Sequence, residues 1–600
     1  MAVPEPLLLE TRRVVTAGDR SGVLAMFAKP ENGRYLMEMI DQRSGYHGGL
    51  KTFAVDVLPA PPGWEKTGAY WLIFHKRQPV EMDHDPIYPV ISTPDGLRLG
   101  PEILETEEGD NRLKNARNEV HLIPADQFVD VVTDLDFEGK GPARADVWRL
   151  QDTFTLSKVT VDGKPRTIVN ASGGIIVNPK PGDLVRVGSL LIPWTHSRTK
   201  TAHFAYSGKL LDGKNSGGEE DLMDARSGYL TAWWVPSTAR LPFLSETTVT
   251  GPKDWTIRSE GVAVAPSAKA AFPAGPNEQR LAFKCDVPIS FPKVIGGKYE
   301  MAASATDNGR HFASYGFPPL DKARATRAVT SAVAAVKFFE NLLGPFPFPG
   351  YEVYDADRFY GIESYSHTIL VPGITDWATS HEIGHTYFGG LVPCAYVKDT
   401  WNESLTQYVD SILFKNNSDQ TLQHAFDVMN SPPLSELPIA WSYANASYMR
   451  GAYTMTMLAH EIGQDKVNAG LRAIVADRRG KDTAWPDLRA YFEKSSGQDL
   501  SWFWDQWVTH ATWPKLDLQS VSQAGTTTHL TVAQSNTPSP YRLRFLLKLT
   551  DGTKTKSTEV TLDSATKSFD VTSDFTPTSA NIDIFGYTFG TVGTKTKKIE

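Results

Sequence analysis

Cysteine is almost absent from this chain: Cys285 and Cys394 are the only two in 600 residues. They are far apart, so neither a disulfide framework nor a cysteine-rich metal site is available, and two buried free thiols are expected. Long apolar runs are missing too. No stretch approaches the ~18 to 20 residues of a membrane-spanning helix, and Met1-Ala2-Val3-Pro4 lacks the basic start and apolar core of a leader. A soluble protein is expected, cytoplasmic or, after removal of a leader, periplasmic or secreted. The third absence is a basic excess. Lys and Arg number 61 against 69 Asp and Glu, a net charge of -8, which leaves no electrostatic footprint for nucleic acid or an anionic membrane surface. There is no repeat array, heptad run or low-complexity tract.

What remains is the composition of an ordinary folded protein, 41% hydrophobic and 22% charged, too long for one core. The expected class is multidomain α+β. Residues 1–115 form an extra module of unassigned role, with a Pro-rich break at Ala60-Pro61-Pro62-Gly63. Residues 116–307 carry short alternating apolar runs between turn signals, such as Leu184-Val185-Arg186-Val187, and predict a β-rich domain. At Asp321, a capping residue by type, the period changes. Ala325, Ala328, Val329, Ala332, Val336, Phe339 and Leu343 keep helical spacing until Gly344-Pro345, and helices are expected to dominate 308–512. Residues 513–600 are rich in Thr, Ser and Val, alternate at Thr528–Val532, and predict a C-terminal β-sandwich.

One motif carries chemistry. His381-Glu382-Ile383-Gly384-His385 places two histidines four apart, on one face of a helix, where both imidazoles can address one ion while Glu382 stands beside it. Thr375 or Asp376 is positioned to cap the start and Gly389-Gly390 to end the helix, leaving the motif in its middle. Zinc suits two imidazoles and one carboxylate, because the fourth tetrahedral position stays open. The metzincin extension would need Gly at 388 and His at 391, where Phe388 and Leu391 stand. The other known solution is a glutamate on a following helix, and Glu403, in Trp401-Asn402-Glu403, is taken as the third ligand.

These segments resemble the M1 family of zinc aminopeptidases, among the thermolysin-like gluzincins. His381 to Val392 resembles the family's zinc helix, and Trp401-Asn402-Glu403 resembles its second zinc segment. Tyr360-Gly361-Ile362-Glu363-Ser364 is similar to a diverged Gly-x-Met-Glu-Asn exopeptidase motif, and Tyr448-Met449-Arg450-Gly451-Ala452 resembles the segment with the catalytic tyrosine. Trp502 to Leu516 resembles the close of the catalytic domain. The likeness covers roughly Asn118 to the C-terminus. It implies a thermolysin-like, mainly helical catalytic domain and one Zn2+ on His381, His385 and Glu403. The spacing before Glu403 is one residue shorter than is usual in the family.

The resemblance further implies roles for three residues. Glu382 takes a proton from the attacking water and passes it to the leaving amine. Tyr448 donates a hydrogen bond to the oxyanion that forms on the scissile carbonyl. Glu363 pairs with the substrate α-ammonium, which fixes the first peptide bond at the metal and excludes blocked peptides. The expected partners are peptide substrates. Two alternatives stand beside the aminopeptidase: an endopeptidase or di/tripeptide-selective peptidase of the same fold, and an inactive peptidase-like binding protein. Glu352, Asp355, Asp357 and His367 are expected to form a solvated rim without a role.

Overall fold

From Arg112 the chain lays down strands that bury every second residue, as period-two patterning requires. Leu113, Ala116, Asn118, Val120 and Leu122 of Arg112–Ile123 face the interior, and so do Val129, Val131, Thr133, Leu135 and Phe137 of Phe128–Glu138. These two strands pair antiparallel at the centre of an eight-stranded sheet, with Phe243–Pro252 parallel to the first and Thr201–Lys209 antiparallel to the second. Trp148 packs over it, stacked on Phe137 at 5.2 Å and edge-on to Phe204. The β-rich composition of this region is as expected.

These features belong to a computed structural model that describes residues 1–600 apart from 1–4, 34–35, 38–48, 77–84, 104–110, 140–142, 172–177, 211–221, 232, 238–240, 291, 357–360, 363–364, 395–398, 430, 438–444 and 600. The chain divides into two compact units: Met1–Val397 with Ala440–Ser442 and Arg478–Asp482, and Lys398–Ile439 with Tyr443–Asp477 and Thr483–Glu600.

In the first unit the N-terminal helix Glu5–Ala17 buries Leu8, Thr11, Val14 and Val15. It packs on Phe53–Pro59, the edge of a four-stranded antiparallel sheet completed by Tyr70–Lys76, Ile87–Thr93 and Gly96–Leu99. Residues 1–115 therefore contain a helix-covered sheet with its own apolar core around Val14, Val23, Phe27, Val57 and Tyr88. The long helix of this unit is Lys322–Leu343. Asp321 caps it by accepting from the Arg324 N–H at 2.9 Å, and all seven periodic positions are buried. Gly344 ends it at φ 111°, a conformation that favours glycine.

The stretch after this helix differs from a purely helical expectation. Gly350–Asp355 runs parallel to both Arg310–Gly316 and His367–Leu370 in a five-stranded sheet that also holds Glu300–Asp307 and Gly361–Ile362. Parallel neighbours need a crossover, and Lys322–Leu343 is the crossover between Arg310–Gly316 and Gly350–Asp355. Position 307/308 lies at the turn of the Glu300–Asp307 and Arg310–Gly316 hairpin.

The second unit begins with helices, Trp401–Gln407, Ser418–Ala425, Gly451–Ile462, Gln464–Asp477, Trp485–Ser496 and Ser501–Trp507. After Pro514 it turns to strands in two four-stranded sheets. Leu518, Leu530 and Val532 of one sheet and Leu543, Phe545, Leu547 and Leu549 of the other are buried, and Phe545 meets Phe569 across the sheets at 6.2 Å. That is the expected C-terminal sandwich. Both cysteines are buried, and burial pushes the Cys285 thiol up to about 12, so it stays protonated. Among the described residues no helix is long and apolar enough to cross a membrane.

Candidate metal centre

The motif helix is Thr375–His385, packed against Lys322–Leu343 and buried along its length from Ala378. Its residues are mostly not apolar. Thr379, Ser380, His381, Glu382 and His385 are each at most 8% exposed. Burying so many polar groups is costly unless they are engaged, which marks this helix as built for chemistry more than for packing.

Its ends differ from those read in the sequence. Ile374 is the cap residue, with no side-chain cap bond, while Thr375 is the first helical residue and Asp376 pairs with Arg327 at 2.9 and 3.0 Å. The last α-helical residue is His385, so the motif fills the final turn and a half instead of the middle. The reason lies in the bonds beyond it. Thr386 and Tyr387 donate to Ile383 and Gly384 in tighter i→i−3 geometry, and Gly390 N–H then takes the His385 carbonyl at 2.9 Å. Gly390 permits this reversal because a Cβ there would stand 2.6 Å from the Thr386 carbonyl and 2.7 Å from the Tyr365 ring.

The reversal aims a group at the site. The Phe388 carbonyl lies 3.1 Å from His385 Nδ1. A carbonyl only accepts, so Nδ1 carries the proton and a neutral His385 presents the lone pair of Nε2. His385 Nε2 lies 3.0 Å from His381 Nε2, with the rings nearly perpendicular. Sequence reading missed Phe388 as an orienting group, since it acts through its backbone and no side-chain pattern reports that.

Glu403 stands in the first turn of Trp401–Gln407, where the positive end of the helix favours a carboxylate. Trp401 anchors this helix, fully buried with Nε1 donating to the Thr483 carbonyl at 2.7 Å. Ligand atoms of His381, His385 and Glu403 all lie within 4.8 Å of one another, the two histidines buried and Glu403 half-buried.

Tyr448 is half-buried in Ala446–Arg450, a π-helical turn, and a second π-helical stretch, Tyr408–Phe414, continues from the Glu403 helix. Such turns are uncommon and concentrate at functional sites. The Tyr448 turn is fastened to the Glu403 helix: Ser404 Oγ donates to the Ser447 carbonyl at 2.7 Å, and Thr400 and Ser447 share a short hydroxyl contact. Gly451 makes this approach possible, because a Cβ there would collide with the Ser404 side chain and stand 2.9 Å from its Cα. Gly451→Ala is expected to cost about 1–3 kcal/mol by overpacking, measured as a lower denaturation midpoint. On the other side of the turn Arg450, 1% exposed, donates to Ser431 Oγ at 2.9 Å and the Pro432 carbonyl at 2.7 Å and lies over the Trp513 ring, and burial pulls its guanidinium down to about 9.

Glu363 lies outside the described residues, as do Tyr360 and Ser364; the preceding Gly361–Ile362 pairs antiparallel with Ile369–Leu370. The nearby charges are not a solvated rim. His367 is fully buried, 3.6 Å from Glu260, and burial lowers its pKa; Asp355 pairs with Arg324 at 2.6 Å and Glu352 with Arg258 at 3.0 Å. They tie the five-stranded sheet to the helix Lys322–Leu343 and to the segment from Arg258 to Glu260. Asp357 is outside the described residues.

Comparison with known proteins agrees with this architecture. The model of the peptidase family M1 domain matches residues 375–507. Human endoplasmic reticulum aminopeptidase 1 is 25% identical over 228 residues, covering 32% of this chain and 24% of that protein. The crystal structure of Legionella pneumophila aminopeptidase A in complex with aspartic acid superposes with a TM-score of 0.67 at 13% identity, over 82% of this chain and 60% of that one. The chain thus spans less than two thirds of either relative. The family match opens on the first residue of the motif helix and closes on Trp507, the last residue of Ser501–Trp507, so it takes in every helix just described from Thr375 onward. Residues 375–507 of this chain thus match the peptidase family M1 domain.

Proposed function

We propose that this protein is a zinc-dependent aminopeptidase that hydrolyses the N-terminal peptide bond of peptides, with His381, His385 and Glu403 holding one Zn2+. The observation that carries the reading is the convergence of these three donors within 4.8 Å. The donor set fits zinc by its chemistry. Two neutral imidazoles and a carboxylate leave one tetrahedral position open. Two nitrogens on one zinc, with bonds of ~2.0 to 2.1 Å, stand roughly 3.3 Å apart, close to the 3.0 Å between the Nε2 atoms. The Phe388 carbonyl supports His385 in the tautomer a metal requires. When bound, zinc supplies Lewis acidity, polarising an oxygen it contacts and making water acidic near neutral pH.

The rest of the reaction falls to the chain. Glu382, beside the histidines and 8% exposed, accepts the proton of the attacking water and returns it to the departing amine, so one carboxylate acts first as base and then as acid. Tyr448 donates its hydroxyl hydrogen to the negative oxygen of the tetrahedral intermediate. Its turn is fixed by Ser404 and Arg450, which supports a preorganised donor. Tyr448→Phe removes only that donor and is expected to lower kcat about 10²–10³-fold with little change in KM, as read from steady-state kinetics on an aminoacyl anilide. A comparable rise in KM with kcat intact would assign Tyr448 to substrate binding instead.

Glu363 is proposed to bind the substrate ammonium, a role that rests on the resemblance of residues 360–364 to the exopeptidase motif. The test compares an unblocked aminoacyl anilide with its N-acetyl form. Wild type is expected to cleave the unblocked substrate far faster, and Glu363→Ala to lose mainly that reaction. Preference for the blocked substrate would mean an endopeptidase, and equal losses for both in Glu363→Ala would mean a structural residue.

A further inference from the structure

The N-terminal part of the chain holds a cavity that the peptidase chemistry does not use. It has a volume of about 700 Å³ and is lined from the helix Glu5–Ala17, the edge strand Phe53–Pro59 and the segment from Asp152 to Gly188. That is the size of an ordinary small-molecule site. Two guanidinium groups reach its wall, and the hydrogen bonds they make go to neutral carbonyls. Arg12 donates Nε to the Val55 carbonyl at 3.2 Å, and its Nη2, out of contact with solvent, has no hydrogen-bond partner among the described residues. Arg186, 8% exposed, donates Nη2 to the Gln151 carbonyl at 2.8 Å, Nε to that of Gly188 at 3.4 Å and Nη1 to that of Phe154.

The opposing charge on this wall is Asp152, which is exposed. His75, also on the wall, is bonded to the buried Asp56 at 2.6 Å. Burial lowers the Arg186 pKa, a sign that its charge is poorly compensated. Arg12 is half-buried and makes no hydrogen bond to a carboxylate among the described residues, so an oxyanion in the cavity would gain a charge-assisted bond from it. Phe53, Phe154 and Leu156 make much of the remaining wall apolar.

We propose that this cavity is a second binding site, separate from the peptidase centre, for a small organic oxyanion with an apolar body whose carboxylate or phosphate pairs with Arg12. The planar guanidinium accepts either head group in bidentate fashion, and the aromatic wall takes the body.

Calorimetric titration of the full chain tests the site with four probes: 3-phenylpropionate, phenyl phosphate, 3-phenylpropionamide and inorganic phosphate. At least one of the two aromatic anions is expected to bind at least tenfold more tightly than the amide and than inorganic phosphate, and the stronger of the two identifies the head group. Arg12→Leu is expected to weaken that binding at least tenfold. Asp152→Asn, which removes the opposing charge, is expected to hold or tighten it, so a folding defect, which weakens both variants, is distinguishable from loss of the anion contact. Absence of binding by both aromatic anions, equal binding of acid and amide, unchanged binding in Arg12→Leu, or weakening in both variants would each overturn the proposal.

Discussion

Glu382→Gln is expected to lower kcat about 10³-fold while zinc content and KM stay near those of the wild type. Glutamine matches the shape of glutamate and still forms hydrogen bonds, but it cannot take a proton. Glu382 is not among the three donors proposed as ligands, so the proposed metal shell would be left whole. The residue sits on a buried helix, where an isosteric change disturbs packing least. The measurement pairs steady-state kinetics with metal analysis of the same preparation. Near wild-type turnover would remove Glu382 from the proton path, and loss of zinc together with turnover would make it part of the metal shell.

The second large effect concerns Glu403. Glu403→Ala is expected to weaken zinc binding by more than ~100-fold, since changes even to groups that only support ligands cost 10–100-fold, and to reduce peptide hydrolysis to that of metal-free protein. Alanine is the best helix former and the position is only half-buried, so the helix Trp401–Gln407 is expected to survive, as circular dichroism would show. Retained zinc with retained activity would mean that another group completes the shell. The two variants separate proton transfer from metal binding: one keeps the ion and loses the reaction, the other loses both.

Much of this was legible because it is written in side-chain type and period. The helix Lys322–Leu343 carried a capping aspartate, a stripe of seven buried positions and a terminal glycine, and all three agree with one another. The terminal sandwich was legible from alternation alone. The closeness of His381 and His385 followed from their spacing on one helix, whereas Glu403 as third ligand is a proposal.

What was not legible acts through the backbone or through distant partners. The motif helix ends at His385, earlier than its glycines suggested, because backbone bonds among Ile383 to Gly390 tighten its last turn. The π-helical turns at Tyr408–Phe414 and Ala446–Arg450 change the register of side chains without any residue type that announces them. The need for Gly451 appears only once Ser404, far away in sequence, lies against it. Burial of His367 and pairing of Asp355 and Glu352 likewise depend on Glu260, Arg324 and Arg258, which no local pattern connects to them. Residues 1–115 offered no chemical motif, and their cavity emerges only when Arg12 and Arg186 are brought to one wall.

The central claim is that hydrolysis depends on one zinc ion held by His381, His385 and Glu403. The most direct measurement strips the protein with a chelator and follows cleavage of an unblocked aminoacyl anilide as zinc is returned in sub-stoichiometric steps. The expected result is loss of activity on stripping and linear recovery that saturates at one equivalent in the wild type, with no recovery in Glu403→Ala. Full activity in metal-free protein, or recovery in Glu403→Ala at the same single equivalent, would contradict it.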